Sequence, residues 1–166
     1  YAFFGRFVLG LFGLLGLGCS IQADPDASLQ CVYRSVTKVV DGDTFWVEDG
    51  SPKGLKVRMI GIDAPETRKS QNKEVGYYGA EAKAYLERRL RGQKVCLEYD
   101  VDRRDRYGRE LTYVYLPDGT FVNAELIRGG YAVLLTIAPN VRHAEEFARL
   151  QAEARVERRG VWGEGG

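Results

Sequence analysis

Five segments rich in β-branched and aromatic residues, three amphipathic helical stretches, and a helix falling between the third and fourth strands predict an α+β chain. That order is the one found in a β-barrel with helices, a five-stranded OB-fold barrel with about three α-helices. An open α+β sheet gives the same string of elements, so periodicity alone leaves both architectures standing.

The run CVYRSVTKVVDGDTFWVEDG supplies two strands, with a bend or bulge at Asp41-Gly42-Asp43 and a turn at Asp49-Gly50. The third strand spans Leu55 to Ile62, where Leu55, Val57 and Met59 share one face and Arg58, Ile60 and Ile62 the other. Residues 67–79 are polar and contain glycine, a loop composition. In AEAKAYLERRLR, Ala82, Leu86 and Leu90 recur every fourth residue, which predicts a helix ended by Gly92. QKVCLEYD then alternates Val95, Leu97 and Tyr99 inward as the fourth strand, and LTYVYL is the fifth. Pro117-Asp118-Gly119 makes a turn into a short return strand, TFV, followed by a helix that Asn123 would cap and Gly129 would close. YAVLLTI reads as a strand or buried extended run broken at Pro139-Asn140. The last helix carries Ala144, Phe147, Leu150 and Ala154 on one face and ends before Gly160, with Trp162 expected to tuck back on the domain.

With 24 basic and 23 acidic side chains in 166 residues, bulk charge does not announce a polyanion partner, so such an argument rests on where the charges sit. Residues 1–23 differ from the rest: Arg6 precedes an apolar, glycine-rich stretch from Phe7 to Gly18, too short to span a bilayer and suited to an export signal. Two cleavage readings stand. A lipoprotein-type signal would lipidate Cys19, and an ordinary signal would be cut after Ala23; both export the domain to the periplasm, the medium or the cell envelope. Residues 24–30 form a polar linker, and 31–163 the domain. Cys31 and Cys96 then remain as an even pair in an oxidising compartment, which allows a disulfide between the first strand and a later one.

Four pieces carry chemistry: DGDT at 41–44, Arg58 with Asp63 and Glu66, the arginine run ending Tyr107-Gly108-Arg109, and His143. Each has a plain reading, namely a polar turn, a strand ion pair, a solvated hairpin tip in which Asp102 and Asp105 alternate with arginines, and a structural hydrogen-bonding histidine. Together they say more. Asp43 and Asp63 lie at strand ends and make a hard-oxygen site suited to calcium or magnesium. Two arginines at the same mouth suit a phosphodiester, and Glu66 is placed to act on a water. Strand alternation turns Asp41 away from them.

VVDGDTFWV, VRMIGIDAPET, YGAEAKAYL, DRYGRELTYVY and VNAELIRGGYA, followed by the closing helix before GVW, resemble the thermonuclease, or staphylococcal nuclease-like, family in order and spacing from Val32 to Trp162. The resemblance implies a Ca2+ ion held by Asp43, Asp63 and the backbone carbonyl of Ala64. It also implies Glu66 as general base, Arg58 and Arg109 on the scissile phosphate, and Arg106 and Tyr107 as nucleotide contacts. The implied activity is hydrolysis of DNA and RNA to 3′-phosphate ends; a nucleic-acid-binding module without catalysis is the implied alternative. No oligomer signal is evident in the sequence, so a monomer is expected. Lys73 in the loop is a further candidate backbone contact. Leu135 and Ile137 stand where the best-known member has tyrosines against the nucleotide, a departure that bears on substrate grip.

Overall fold

The computed structural model describes residues 31–67 and 76–163. The export segment 1–23 with Cys19, the linker 24–30 and Lys73 lie outside the described residues.

Strands β1 (Tyr33–Asp41), β2 (Thr44–Val47) and β3 (Leu55–Met59) form an antiparallel meander. After β4 (Ile62–Asp63) comes helix α1 (Gly79–Leu90), then β5 (Lys94–Glu98) and β6 (Glu110–Tyr115). Helix α2 (Val122–Arg128), strand β7 (Val133–Leu134), helix α3 (Ala144–Val156) and a 3-10 turn (Gly160–Trp162) complete the described chain. The sheet closes in the order β1-β2-β3-β6-β5. Closure comes from Tyr33, Arg34 and Ser35 pairing with Cys96, Val95 and Lys94, and it rules out the open sheet. β3 and β6 run parallel, Val57 opposite Glu110 and Met59 opposite Thr112, as a five-stranded OB barrel requires.

The alternation of β3 puts Val57 and Met59 in the core with Phe45 and Val47 of β2. Leu86 and Leu90 of α1 cover one side of the barrel; Leu126 and Ile127 of α2 and Phe147 and Leu150 of α3 cover another. All four helical leucines and Phe147 are fully buried, each contributing roughly 1.5–3 kcal/mol. Trp162 folds back under Arg155, whose guanidinium lies 4.2 Å from the indole.

Four expectations about the elements are corrected. The third strand does not continue to Ile62: Gly61, at φ +78°, turns the chain after Met59, and Ile62–Asp63 leave the barrel to pair with Val133–Leu134. TFV forms only a bridge between Tyr115 and Phe121, because the helix already starts at Val122. Only two residues of YAVLLTI are strand.

Asn123 is not a cap. It sits inside α2, fully buried, accepting from Val114 N at 2.9 Å and donating from Nδ2 to Ile60 O at 2.9 Å. One side chain thus ties α2 to β6 and to the point where the chain leaves β3. Gly129 does end the helix, its amide bonding Glu125 O.

Cys31 and Cys96 are joined by a disulfide, with Cα atoms 5.6 Å apart, across the seam that closes the barrel.

Asn123→Ala leaves two buried backbone groups unpaired, and urea melts should show a loss of about 2–4 kcal/mol; a loss below about 0.5 would contradict the role given to this residue. Thiol titration of the unfolded but unreduced domain should find neither Cys31 nor Cys96 free. Reduction should cost about 4 kcal/mol for a loop closed over a separation of 65 residues.

Candidate active site

At the mouth of the barrel, Asp43 occupies the turn between β1 and β2, one residue before Thr44, which pairs with Arg58. Gly42 is needed there because a Cβ would lie 2.6 Å from Ala64 Cβ and 3.1 Å from Ala82 Cβ. The close approach lets the turn settle on the segment after β4, and the Ala64 amide donates to Asp43 Oδ2 at 2.8 Å. Thr44 Oγ1 donates to the other oxygen, also at 2.8 Å. The Asp43 carbonyl accepts from Met59 N, so main chain and side chain both anchor to the third strand and its sequel.

Arg58 is the hub of this region. Nη1 lies 3.2 Å from Asp43 Oδ2 and donates to Met59 O at 3.0 Å and Ile62 O at 2.8 Å; Nη2 donates to Asp63 Oδ1 at 2.8 Å. The arginine and Asp43 side chains are only 13% and 9% exposed, whereas Asp63 is 37% exposed. One cation therefore faces two carboxylates and two carbonyls, and charge-assisted bonds in this setting are strong.

Glu66 follows Pro65, and its carbonyl accepts from Gly76 N at 2.9 Å, which ties the acidic turn to the chain leading into α1. Asp41 joins the group, contrary to the expectation from alternation. The two-residue turn at 42–43 and a register shift between Val39 and Asp41 break the period-two pattern, and Asp41 faces the same cavity as Asp43. Burial pushes its carboxyl above 3.8, and the charges of Asp43 and Glu66 add to this; the Gly42 amide and the Thr67 hydroxyl oppose it. Asp41, Asp43, Asp63 and Glu66 thus line one side of the cavity together with Arg58.

Across the cavity, Asp105 holds the other arginine. Its Oδ1 accepts from the amides of Tyr107 and Arg109 at 2.9 and 3.0 Å, and its Oδ2 from Arg109 Nε at 2.6 Å. This is an Asx-type turn that braces a guanidinium, not a solvated hairpin tip. Tyr107, 67% exposed, has the Arg106 and Arg109 guanidiniums 4.8 and 5.5 Å from its ring, and Arg106 Nη2 donates to its hydroxyl at 2.6 Å. Asn140 fixes the neighbouring wall, accepting from Asp102 N and donating to Asp102 O, both at 2.8 Å.

Asp43, Arg58, Asp63, Ala64, Glu66, Arg106, Tyr107 and Arg109 all line one open cavity of about 770 Å³, and Leu135 and Ile137 form its apolar side. His143 does not line it. Its ring packs edge-on against Tyr113 and Phe121, with Nδ1 3.5 Å from a Glu146 carboxylate oxygen. Sequence reasoning missed Asp41, Asp105 and Asn140; the Asp-x-Tyr-Gly spacing of an Asx turn was the available signal for Asp105.

Among the described residues no three His, Cys, Asp or Glu side chains group as a metal site. The oxygen donors nonetheless fit a hard divalent cation: the carboxylates of Asp43 and Asp63 come from separate segments and, both lying on Arg58, stand close to one another. Coordination there would rest on Asp43 and Asp63, completed by backbone oxygen and water.

The staphylococcal nuclease homologue family model matches residues 56–164. The chain is 42% identical over 128 residues to the thermonuclease of Staphylococcus hyicus, covering 76% of this chain and 73% of that protein. It is 38% identical over 128 residues to the thermonuclease of Staphylococcus intermedius, with 76% and 74% covered. To an uncharacterized endonuclease of Escherichia coli O157:H7 it is 35% identical over 131 residues, with 79% and 77% covered.

The Asp105 brace gives a pH dependence. Burial by itself would raise its carboxyl, but the bonds from Arg109 and the Tyr107 amide outweigh burial and hold it below 3.8. The ionised form is favoured in the fold, so the brace stabilises above the unfolded value of 3.8 and is lost as the pH falls through the lower folded value. Asp105→Asn should therefore be less stable than wild type at neutral pH in urea melts, the gap closing in strong acid; a gap that widens on acidification would contradict this.

Proposed function

The chain belongs to the staphylococcal nuclease homologue family and is a nuclease, a hydrolase of phosphodiester bonds; from that premise we propose that it is an exported, calcium-dependent enzyme that cuts DNA and RNA alike and leaves 3′-phosphate ends. The observation that carries this reading is the meeting of Asp43, Asp63, Arg58, Glu66 and Arg109 in one open cavity. Two carboxylates suit a hard cation, two guanidiniums suit a phosphate, and a third carboxylate has the chemistry to take a proton from water.

In the proposed mechanism the substrate phosphate lies between Arg58 and Arg109. Asp105 fixes the direction from which Arg109 approaches, so less rotamer freedom is lost when the phosphate binds. Glu66 accepts the proton of the attacking water as its oxygen bonds to phosphorus. The bond to the 5′ oxygen breaks, and solvent protonates the leaving alkoxide. Negative charge builds on the equatorial oxygens, and the two guanidiniums meet it. A divalent cation held by Asp43 and Asp63 would supply further electrostatic stabilisation of that charge. For Arg58 to reach the phosphate, Nη2 gives up part of its bond to Asp63, whose charge the cation would then offset.

Leu135 and Ile137 give the nucleotide an aliphatic surface without stacking rings, which leaves Tyr107 as the aromatic group in the cavity lining. The Cys31–Cys96 disulfide and the apolar stretch from Phe7 to Gly18 support export, whether by cleavage after Ala23 or by lipidation of Cys19.

Digestion of single-stranded DNA by the isolated protein in calcium should give 3′-phosphate fragments, and EDTA should stop it; a folded protein that cuts equally in EDTA, or not at all in calcium, would overturn the reading. Glu66→Gln and Arg109→Ala should each lower kcat by about a hundredfold or more while the thermal melt is kept. Full turnover by both would remove these residues from the mechanism.

A further inference from the structure

The arginine run at 103–109 is only partly used by the site described above. Arg106 and Arg109 line the first cavity, and Arg104 pairs with Glu110 at 2.5 Å. Arg103 faces the other way, into a second open cavity of about 760 Å³ that Arg34, Glu98, Tyr99 and Arg142 also line. Its guanidinium lies 4.1 Å from the centre of the Tyr99 ring.

Charge in this second cavity is unequally satisfied. Arg142 is paired with Glu98 and lies 3.5 Å from Asp100. Among the described residues, neither Arg34 nor Arg103 has a carboxylate within ion-pair distance; Arg34 donates only to the Glu48 carbonyl, at 3.3 Å. Two arginines without ion pairs among the described residues and an arginine-covered tyrosine form a surface suited to a phosphate and to the flat face of a base or sugar.

The two cavities share a wall. Asp102 and Arg106 line the first and Arg103 the second, so three residues of chain, at most roughly 11 Å, separate the two sets of arginines. Asn140 pins that wall through Asp102, and the next residue but one is Arg142, in the second cavity. OB barrels that hold single strands engage about 4–16 nucleotides, more than one phosphate pocket accommodates.

We infer that the second cavity is an extended subsite for the same polynucleotide strand, in which Arg103 on Tyr99 and Arg34 hold a phosphodiester segment beyond the bond being cut. This rests on the nuclease reading for the identity of the ligand. It assigns Arg34 and Arg103 to strand binding, apart from the chemistry at the first cavity, and it makes the enzyme prefer oligomers to dinucleotides.

The test compares wild type with an Arg34→Ala/Arg103→Ala double variant on a labelled single strand of about twelve nucleotides and on a dinucleotide. Fluorescence anisotropy in EDTA reads binding without cleavage; steady-state kinetics in calcium read KM and kcat. The double variant should bind the oligomer about tenfold more weakly, and its log–log salt slope should fall by about 0.7 per lost phosphate contact, with Arg103→Lys restoring its share. KM for the oligomer should rise with kcat unchanged, and dinucleotide kinetics should not move. Oligomer binding within about twofold of wild type, equal losses on both substrates, or no oligomer binding by wild type would overturn the inference. A wild type that binds the oligomer with the predicted difference yet cuts neither substrate would refute the hydrolytic reading and leave the subsite standing.

Discussion

The site depends on one guanidinium. Arg58 reaches from β3 to Asp43 in the turn before β2 and to Asp63 at the end of β4, and its two backbone acceptors bracket the bend at Gly61. That cation draws Asp43 and Asp63 together beside the bend which Gly61 and the pairing of β4 with β7 create. The same contacts that shape the local fold therefore arrange the oxygen donors.

This arrangement carries an electrostatic tension. Arg58 answers Asp43 and Asp63, and burial together with the charges of Asp43 and Glu66 holds the Asp41 carboxyl above its ordinary range. Carboxylates gathered in this way suit a hard divalent ion, and Arg109 lines the same cavity with a positive charge that suits a phosphate. The opposite wall is built in the reverse sense: Asp105 is spent on fixing Arg109, and Arg106 faces the cavity from beside Tyr107. The cavity thus has an acidic inner wall and a basic outer one, which matches the chemistry of a metal-assisted attack on phosphorus.

Much of this was legible in the sequence, for a physical reason. Val57 and Met59 in the core, and Ala82, Leu86 and Leu90 on one helical face, follow from periods of two and near four that a chain must obey to bury apolar surface. Barrel closure was not legible, because pairing of Tyr33 with Cys96 depends on how far the sheet curls, which no local pattern encodes. The eight expected site residues were found through motif strings and do share a cavity. The errors share one origin. Local rules of alternation, charge and capping misplace Asp41, Asp105 and Asn123, whose positions are set by a bulged turn, an Asx turn and a tertiary hydrogen-bond pair. A rule of local periodicity fails wherever the chain inserts a residue or borrows a partner from far along the sequence.

The central claim is that the Arg58 guanidinium and a divalent cation satisfy the same carboxylates. The most direct measurement is the stability of Arg58→Met against wild type in urea, with EDTA and with millimolar calcium. Breaking this pairing should cost the metal-free variant about 3–5 kcal/mol, because the buried Asp43 carboxylate loses its cation. Calcium should then return more stability to the variant than it adds to wild type, through its greater affinity for the uncompensated site. An equal calcium increment in both proteins, or none in either, would contradict the account.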